Sequence, residues 1–127
     1  MSIQRRRISK DVRKALWERL NRKCGYCGMK IGLSEVTIDH MVPLSRGGAD
    51  CIDNMICSCK MCNELKRNRT IEEFRGTVSG LTYDLMQESP KYRAAIRFGF
   101  VRVYRKKAVF YFEKCENRKR RVGKCRK

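Results

Sequence analysis

Two Cys-x-x-Cys pairs, Cys24 with Cys27 and Cys59 with Cys62, constrain this chain more tightly than any other feature. At that spacing a tight turn aims both thiolates at one ion, and two pairs complete a tetrahedral four-cysteine site for structural zinc. Four thiolates leave no open position, so such a zinc serves folding and offers nothing to a substrate. The pairs are 31 residues apart. A zinc ribbon inserts roughly 15 to 20, so a folded element has to occupy the gap.

At 127 residues the chain has room for one domain with a small core, and a metal staple meets that shortfall. Its 31 Lys and Arg against 13 Asp and Glu give a formal net charge of +18, a field that draws polyanions, nucleic acid foremost. The competing partner, an anionic membrane, would require a basic helix with a broad apolar face or a lipidation motif, and neither is present. No window approaches the roughly 20 apolar residues of a membrane span, and MSIQRRRISK carries no apolar run behind its basic start. The expected location is the cytosol, where the eight cysteines read as metal ligands and spare thiols rather than disulfides. Cys57 competes with Cys59 for the site, but Cys59 and Cys62 make the better turn. Cys51, Cys115 and Cys125 lack partners at ligand spacing.

Periodicity predicts a helix capped by Ser9 and running through Asn21, with Val12, Ala15, Leu16 and Leu20 on one face and Trp17 packing beside it. Val36 to Met41 predicts a short strand, turned by Pro43, Gly47 and Gly48, and Met55 to Cys57 predicts a second. Lys60 to Arg67 has helical composition, Thr70 suits a cap for Ile71 to Phe74, and a further helix starts near Ser89 and Pro90. Phe100 to Tyr104 and Ala108 to Phe112 predict a β-hairpin whose aromatic residues pack rather than stack on bases. Residues 1–8 read as a basic arm and 114–127 as a poorly ordered basic tail. The sequence has no internal repeat.

Between the cysteine pairs lies Thr37-Ile38-Asp39-His40-Met41-Val42-Pro43-Leu44-Ser45-Arg46-Gly47-Gly48, then Asp53-Asn54, then Cys62-Asn63-Glu64-Leu65-Lys66. Phosphodiester hydrolysis needs a hydroxide-like nucleophile, charge neutralisation on phosphate and help for the leaving 3′ oxygen. His40, the only histidine, suits proton abstraction from water at neutral pH. Asp39 and Asn63 offer hard oxygens for a divalent ion such as Mg2+ or Mn2+. Adjacent strand residues face opposite ways, so Asp39 and His40 serve one site only at a twisted strand end.

Over roughly residues 20–75 this pattern resembles the HNH nucleases, whose ββα-metal motif reads DH, xPLSxGG, DN and CxxCNxxK, with zinc-binding CxxC pairs in many members. The resemblance implies an α+β fold: a zinc-stapled ββα-metal core at about 36–68, inside one domain at 9–113 with an N-terminal helix and a C-terminal helix plus hairpin. It implies an endonuclease that nicks or cuts double-stranded DNA, with His40 as general base, Asp39 and Asn63 as ligands of the catalytic ion, and Asn54 orienting the strand that bears His40. Where many members have a metal-binding histidine this chain has Asn63, so oxygen ligands must hold the ion. Lys66 and Arg46 are candidate phosphate contacts. By analogy alone, the small size suggests a phage or mobile-element enzyme acting beside packaging machinery or another protein partner. The alternative is a non-catalytic zinc-containing module that binds nucleic acid.

Overall fold

The computed structural model describes residues 7–121, so the expected basic arm is described only at Arg7 and Ile8, and the tail beyond Arg121, Cys125 included, lies outside the described residues. Helix α1, Lys10–Arg19, starts where Ser9 accepts a hydrogen bond from the Val12 N–H at 3.2 Å, with Asp11 favourable in its first turn. Leu16 and Leu20 from this segment are buried, and Trp17 Nε1 donates to the Ile31 carbonyl at 2.8 Å. Asn21 and Arg22, at φ 57° and 61°, then swing the chain into the first cysteine pair. A backbone bridge between Lys23 and Lys30 closes that turn as a knuckle.

Strands β1, Thr37–His40, and β2, Met55–Ser58, pair antiparallel in a two-stranded sheet, with Asp39 opposite Ile56 and His40 opposite Met55. Every residue of β2 is buried, which explains its apolar composition. Helix α2, Lys60–Lys66, follows β2 at once and packs on β1. The α+β class and the order strand, loop, strand, helix are those read from the sequence.

The loop between the strands is short of backbone ladders, and Asn54 supplies the missing bonds. Its Oδ1 accepts from the Val42 N–H at 2.9 Å, while Nδ2 donates to the carbonyls of Val42 at 2.9 Å and Ala49 at 2.8 Å. This grip leaves no space beside Gly48: a Cβ there would collide with the Val42 carbonyl oxygen.

The chain gathers into two compact units, residues 72–108 and the remainder. Helix α3, Ile71–Ser79, runs into the second unit, which also holds α4, Leu81–Glu88, and α5, Pro90–Arg97. Ser89 caps α5 by accepting from the Tyr92 N–H at 3.1 Å, as its Ser-Pro start predicts. Helix α4 escaped the sequence reading because only Gly80 separates it from α3.

The predicted hairpin at Phe100–Tyr104 and Ala108–Phe112 does not form. Residues 101–110 adopt no ladder. The intervening Arg105, Lys106 and Lys107 include no residue suited to the positive φ of a tight hairpin turn. The backbone finds other partners: Ala108 donates to Ser79 Oγ at 2.9 Å, and its carbonyl accepts from Arg75 at 2.7 Å. Tyr111 and Phe112 donate to the knuckle carbonyls of Tyr26 and Gly25 at 3.0 and 2.8 Å. From there α6, Tyr111–Arg121, occupies much of what was expected to be a poorly ordered tail. Its start is secured by Glu113, which accepts from the Phe110 N–H at 2.9 Å. Among the described residues no helix is long and apolar enough to cross a membrane.

The Gly48 packing leads to a stability prediction. Gly48→Ala should lower the unfolding free energy by about 2 kcal/mol, measured by denaturant titration, because the loop must open to admit the methyl group. An unchanged midpoint would show that the Asn54 grip is not confining.

Candidate active site

The sulfur atoms of Cys24, Cys27, Cys59 and Cys62 lie within 4.8 Å of one another, and those of Cys27 and Cys59 are 3.9 Å apart. Four thiolates around a tetrahedral zinc at about 2.3 Å would stand about 3.8 Å apart, so both the donor set and the spacing fit that ion. Backbone N–H groups of Tyr26, Met29 and Cys62 point at Cys24, Cys27 and Cys59 sulfurs at 3.4, 3.5 and 3.4 Å, an arrangement that favours thiolates. The hydrogen bond from Cys62 holds the Cys24 thiol down at about 4, while that same bond and burial push Cys62 upward. Cys59 is at once a member of the cluster and the N-cap of α2, which ties the metal site to the helix. Cys57 stands outside the cluster: its Sγ donates to the Lys23 carbonyl at 3.5 Å, and burial raises its thiol to about 12.

The polar centre is built at the end of β1. Asp39 is buried, and its Oδ2 accepts from the Tyr26 hydroxyl at 2.6 Å and lies 2.9 Å from Lys66 Nζ. Burial and the Asp39 charge push the Tyr26 phenol well above its ordinary range, so it remains a donor. His40 is also buried, and its Nε2 lies 3.0 Å from Asp50 Oδ1. A carboxylate can only accept, which assigns the ring proton to Nε2 and leaves the Nδ1 lone pair as the base. Among the described residues no buried side-chain nitrogen or oxygen lacks a partner. The unbonded atoms of these two side chains, His40 Nδ1 and Asp39 Oδ1, are therefore their accessible ones.

Asp39, His40 and Asn63 share no direct hydrogen bond among the described residues; Lys66 bonds the first two. Its ammonium, fully buried, donates to the His40 carbonyl at 3.0 Å as well as pairing with Asp39. Asn63 is half-buried one turn earlier on the face of α2 that carries Lys66. The expected phosphate contact by Lys66 is thereby corrected: the group points inward and its charge is spent on Asp39. Arg46 lies exposed on the loop, in the 3-10 turn Leu44–Arg46. Asn54 braces the chain leaving β1, whose Met41 N–H bonds the Asn54 carbonyl at 2.8 Å.

Sequence reasoning missed Tyr26 and Asp50. Tyr26 sits inside the first CxxC pair, where an aromatic residue reads as packing, and indeed its ring meets Phe110 edge-on at 5.4 Å. Asp50 is one of two loop carboxylates, and the motif includes Asp53 instead, so nothing in the sequence singles Asp50 out.

The buried ion pair carries a testable consequence. Lys66→Ala strands the Asp39 charge and should cost about 3 kcal/mol in thermal or denaturant unfolding. Unaltered stability would mean that Lys66 works at the surface instead.

Comparison with known proteins accords with this geometry. Residues 24–69 match the family model "HNH endonuclease". The CRISPR-associated endonuclease Cas9 of Corynebacterium diphtheriae is 35% identical over 65 residues, covering 46% of this chain and 6% of that protein. The crystal structure of the type II-C Cas9 enzyme from Actinomyces naeslundii is similar with a TM-score of 0.50 and 29% identity, over 57% of this chain and 9% of that one. The chain thus spans less than a tenth of the length of either relative. Over residues 24–69 the chain is similar to the HNH endonuclease family, with a four-cysteine cluster that can hold zinc beside two antiparallel strands and a helix.

Proposed function

We propose that this chain is a divalent-metal-dependent endonuclease that hydrolyses phosphodiester bonds of DNA, with His40 as general base and the ββα element at about residues 36–68 as the catalytic core. The observation that carries the reading is His40 itself: Nε2 is committed to Asp50, so a buried ring offers one accessible nitrogen. That nitrogen takes the proton from water, and the Asp50 carboxylate stabilises the imidazolium that results. Tyr26 and Lys66 fix the carboxylate of Asp39, keeping Oδ1 outward. Asp39 and Asn63 are the residues that would hold Mg2+ or Mn2+; an ion bound there supplies charge neutralisation for the scissile phosphate and the leaving 3′ oxygen. A single histidine in the chain leaves no second imidazole for this ion, which favours hard, oxygen-preferring metals.

Asn54 keeps the strand end and its loop in register, and Arg46, exposed in the turn Leu44–Arg46, is the proposed contact to the phosphate backbone. The net charge of +18 steers DNA toward the site without selecting its sequence. Double-stranded DNA is the proposed substrate, on the likeness to the HNH family and to relatives named as Cas9 endonucleases.

The test is plasmid nicking by the zinc-loaded protein with Mg2+ or Mn2+. His40→Ala should lower the rate by at least about a hundredfold. Asp50→Asn should lower kcat by about tenfold and leave KM unchanged, because it disturbs the base and not the DNA surface. Equal cleavage by the wild type and His40→Ala would remove His40 from the mechanism. Salt-sensitive binding without cutting under any divalent metal would instead favour a zinc-containing binding module.

A further inference from the structure

Two of the aromatic residues expected to pack in a hairpin, Phe100 and Tyr104, stand in water, 83% and 64% exposed, whereas Phe110 of the second half is buried. Phe98 at 76% and Tyr83 on α4 at 65% are exposed as well. Phe98 and Phe100 stack on each other with centroids 6.4 Å apart and planes 17° from parallel. So many uncovered rings in one unit of residues 72–108 mark a surface that meets something.

A groove of about 550 Å³ in the same unit indicates what that is. Tyr83, Met86 and Tyr104 line it together with Arg105, Lys106 and Lys107, and among the described residues no carboxylate does. Lys106 Nζ sits 5.5 Å from the centre of the Tyr104 ring, which puts a cation beside a stacking platform. Rings interleaved with cations suit a chain of flat, apolar groups joined by anions. In a duplex the base faces are covered by their neighbours, and exposed rings would find nothing to stack on. A second copy of this chain would bring another +18 to the face and be repelled.

We infer that residues 72–108 carry a binding surface for an unpaired nucleic-acid strand. Its bases stack on Tyr83, Tyr104 and the Phe98–Phe100 pair, and its phosphates meet Arg105, Lys106 and Lys107. The surface belongs to a different unit from the one that holds His40, and it adds a preference for single-stranded segments to a nuclease core.

Fluorescence anisotropy tests this with the full chain, zinc-loaded and without added magnesium, so that the readout is independent of cleavage and of the nuclease reading. The probes are a labelled oligothymidylate of about a dozen nucleotides and a duplex of equal length. Tyr83→Ala with Tyr104→Ala should weaken oligothymidylate binding by about tenfold or more, while duplex affinity changes less than about twofold. Lys106→Gln with Lys107→Gln should reduce the salt slope for the single strand by about 1.4. All four side chains are exposed, and circular dichroism with zinc content verifies folding. Oligothymidylate binding that survives both the tyrosine pair and Phe98→Ala with Phe100→Ala would overturn the inference. So would a dimer, seen by sedimentation, that the phenylalanine variant dissociates.

Discussion

Closure of four sulfur atoms across the 31 residues between Cys27 and Cys59 is the constraint on which the segment similar to HNH endonucleases depends. Joining points so far apart costs chain entropy, and a chain of this size has little buried area to offset it. A zinc ion bound by four thiolates can contribute about 10 kcal/mol or more, and where the site is formed only in the folded chain that becomes folding free energy. The geometry shows how the closure organises its surroundings. Cys59 caps α2, the Gly25 N–H bonds the Cys57 carbonyl at 2.8 Å, and α6 starts by donating to the first knuckle.

Each cysteine pair also sends one residue to Asp39. Tyr26 lies within the first pair and donates its hydroxyl; Lys66 lies one turn beyond Cys62 and donates its ammonium. The carboxylate is therefore held from both halves of the four-cysteine cluster, and Lys66 extends the hold to the His40 carbonyl. His40 receives its own support from the opposite direction, through Asp50 on the loop that Asn54 and Gly48 keep compact. Adjacent strand residues face opposite ways, and here each is met by a different brace.

What was legible in the sequence was local. The cysteine spacing, the Ser9 and Ser89 caps, the turn glycines and the short β-branched run all act over a few residues, and α1, β1, β2, α2 and α5 follow from them. The strand of aromatic and branched residues near 100–112 had the right composition for a hairpin, but composition cannot show that Arg75 and Ser79 would satisfy its backbone first. Helix α6 was hidden by its basic charge, although Glu113 in its first turn suits a helix dipole. Lys66 was read as a surface cation because a buried lysine becomes visible only when its carboxylate partner, 27 residues away in sequence, is seen beside it. Asp50 was missed for the same reason.

We propose that a divalent ion binds beside the base at Asp39 and Asn63 while zinc stays in the thiolate cluster. Substoichiometric Mn2+ added to the isotope-labelled, zinc-loaded protein locates such an ion directly, by paramagnetic broadening of backbone amide signals. Asp39, His40 and Asn63 should broaden first, with zinc content unchanged. Broadening centred elsewhere, for instance at Glu72 and Glu73, or none at any Mn2+ level, would contradict it.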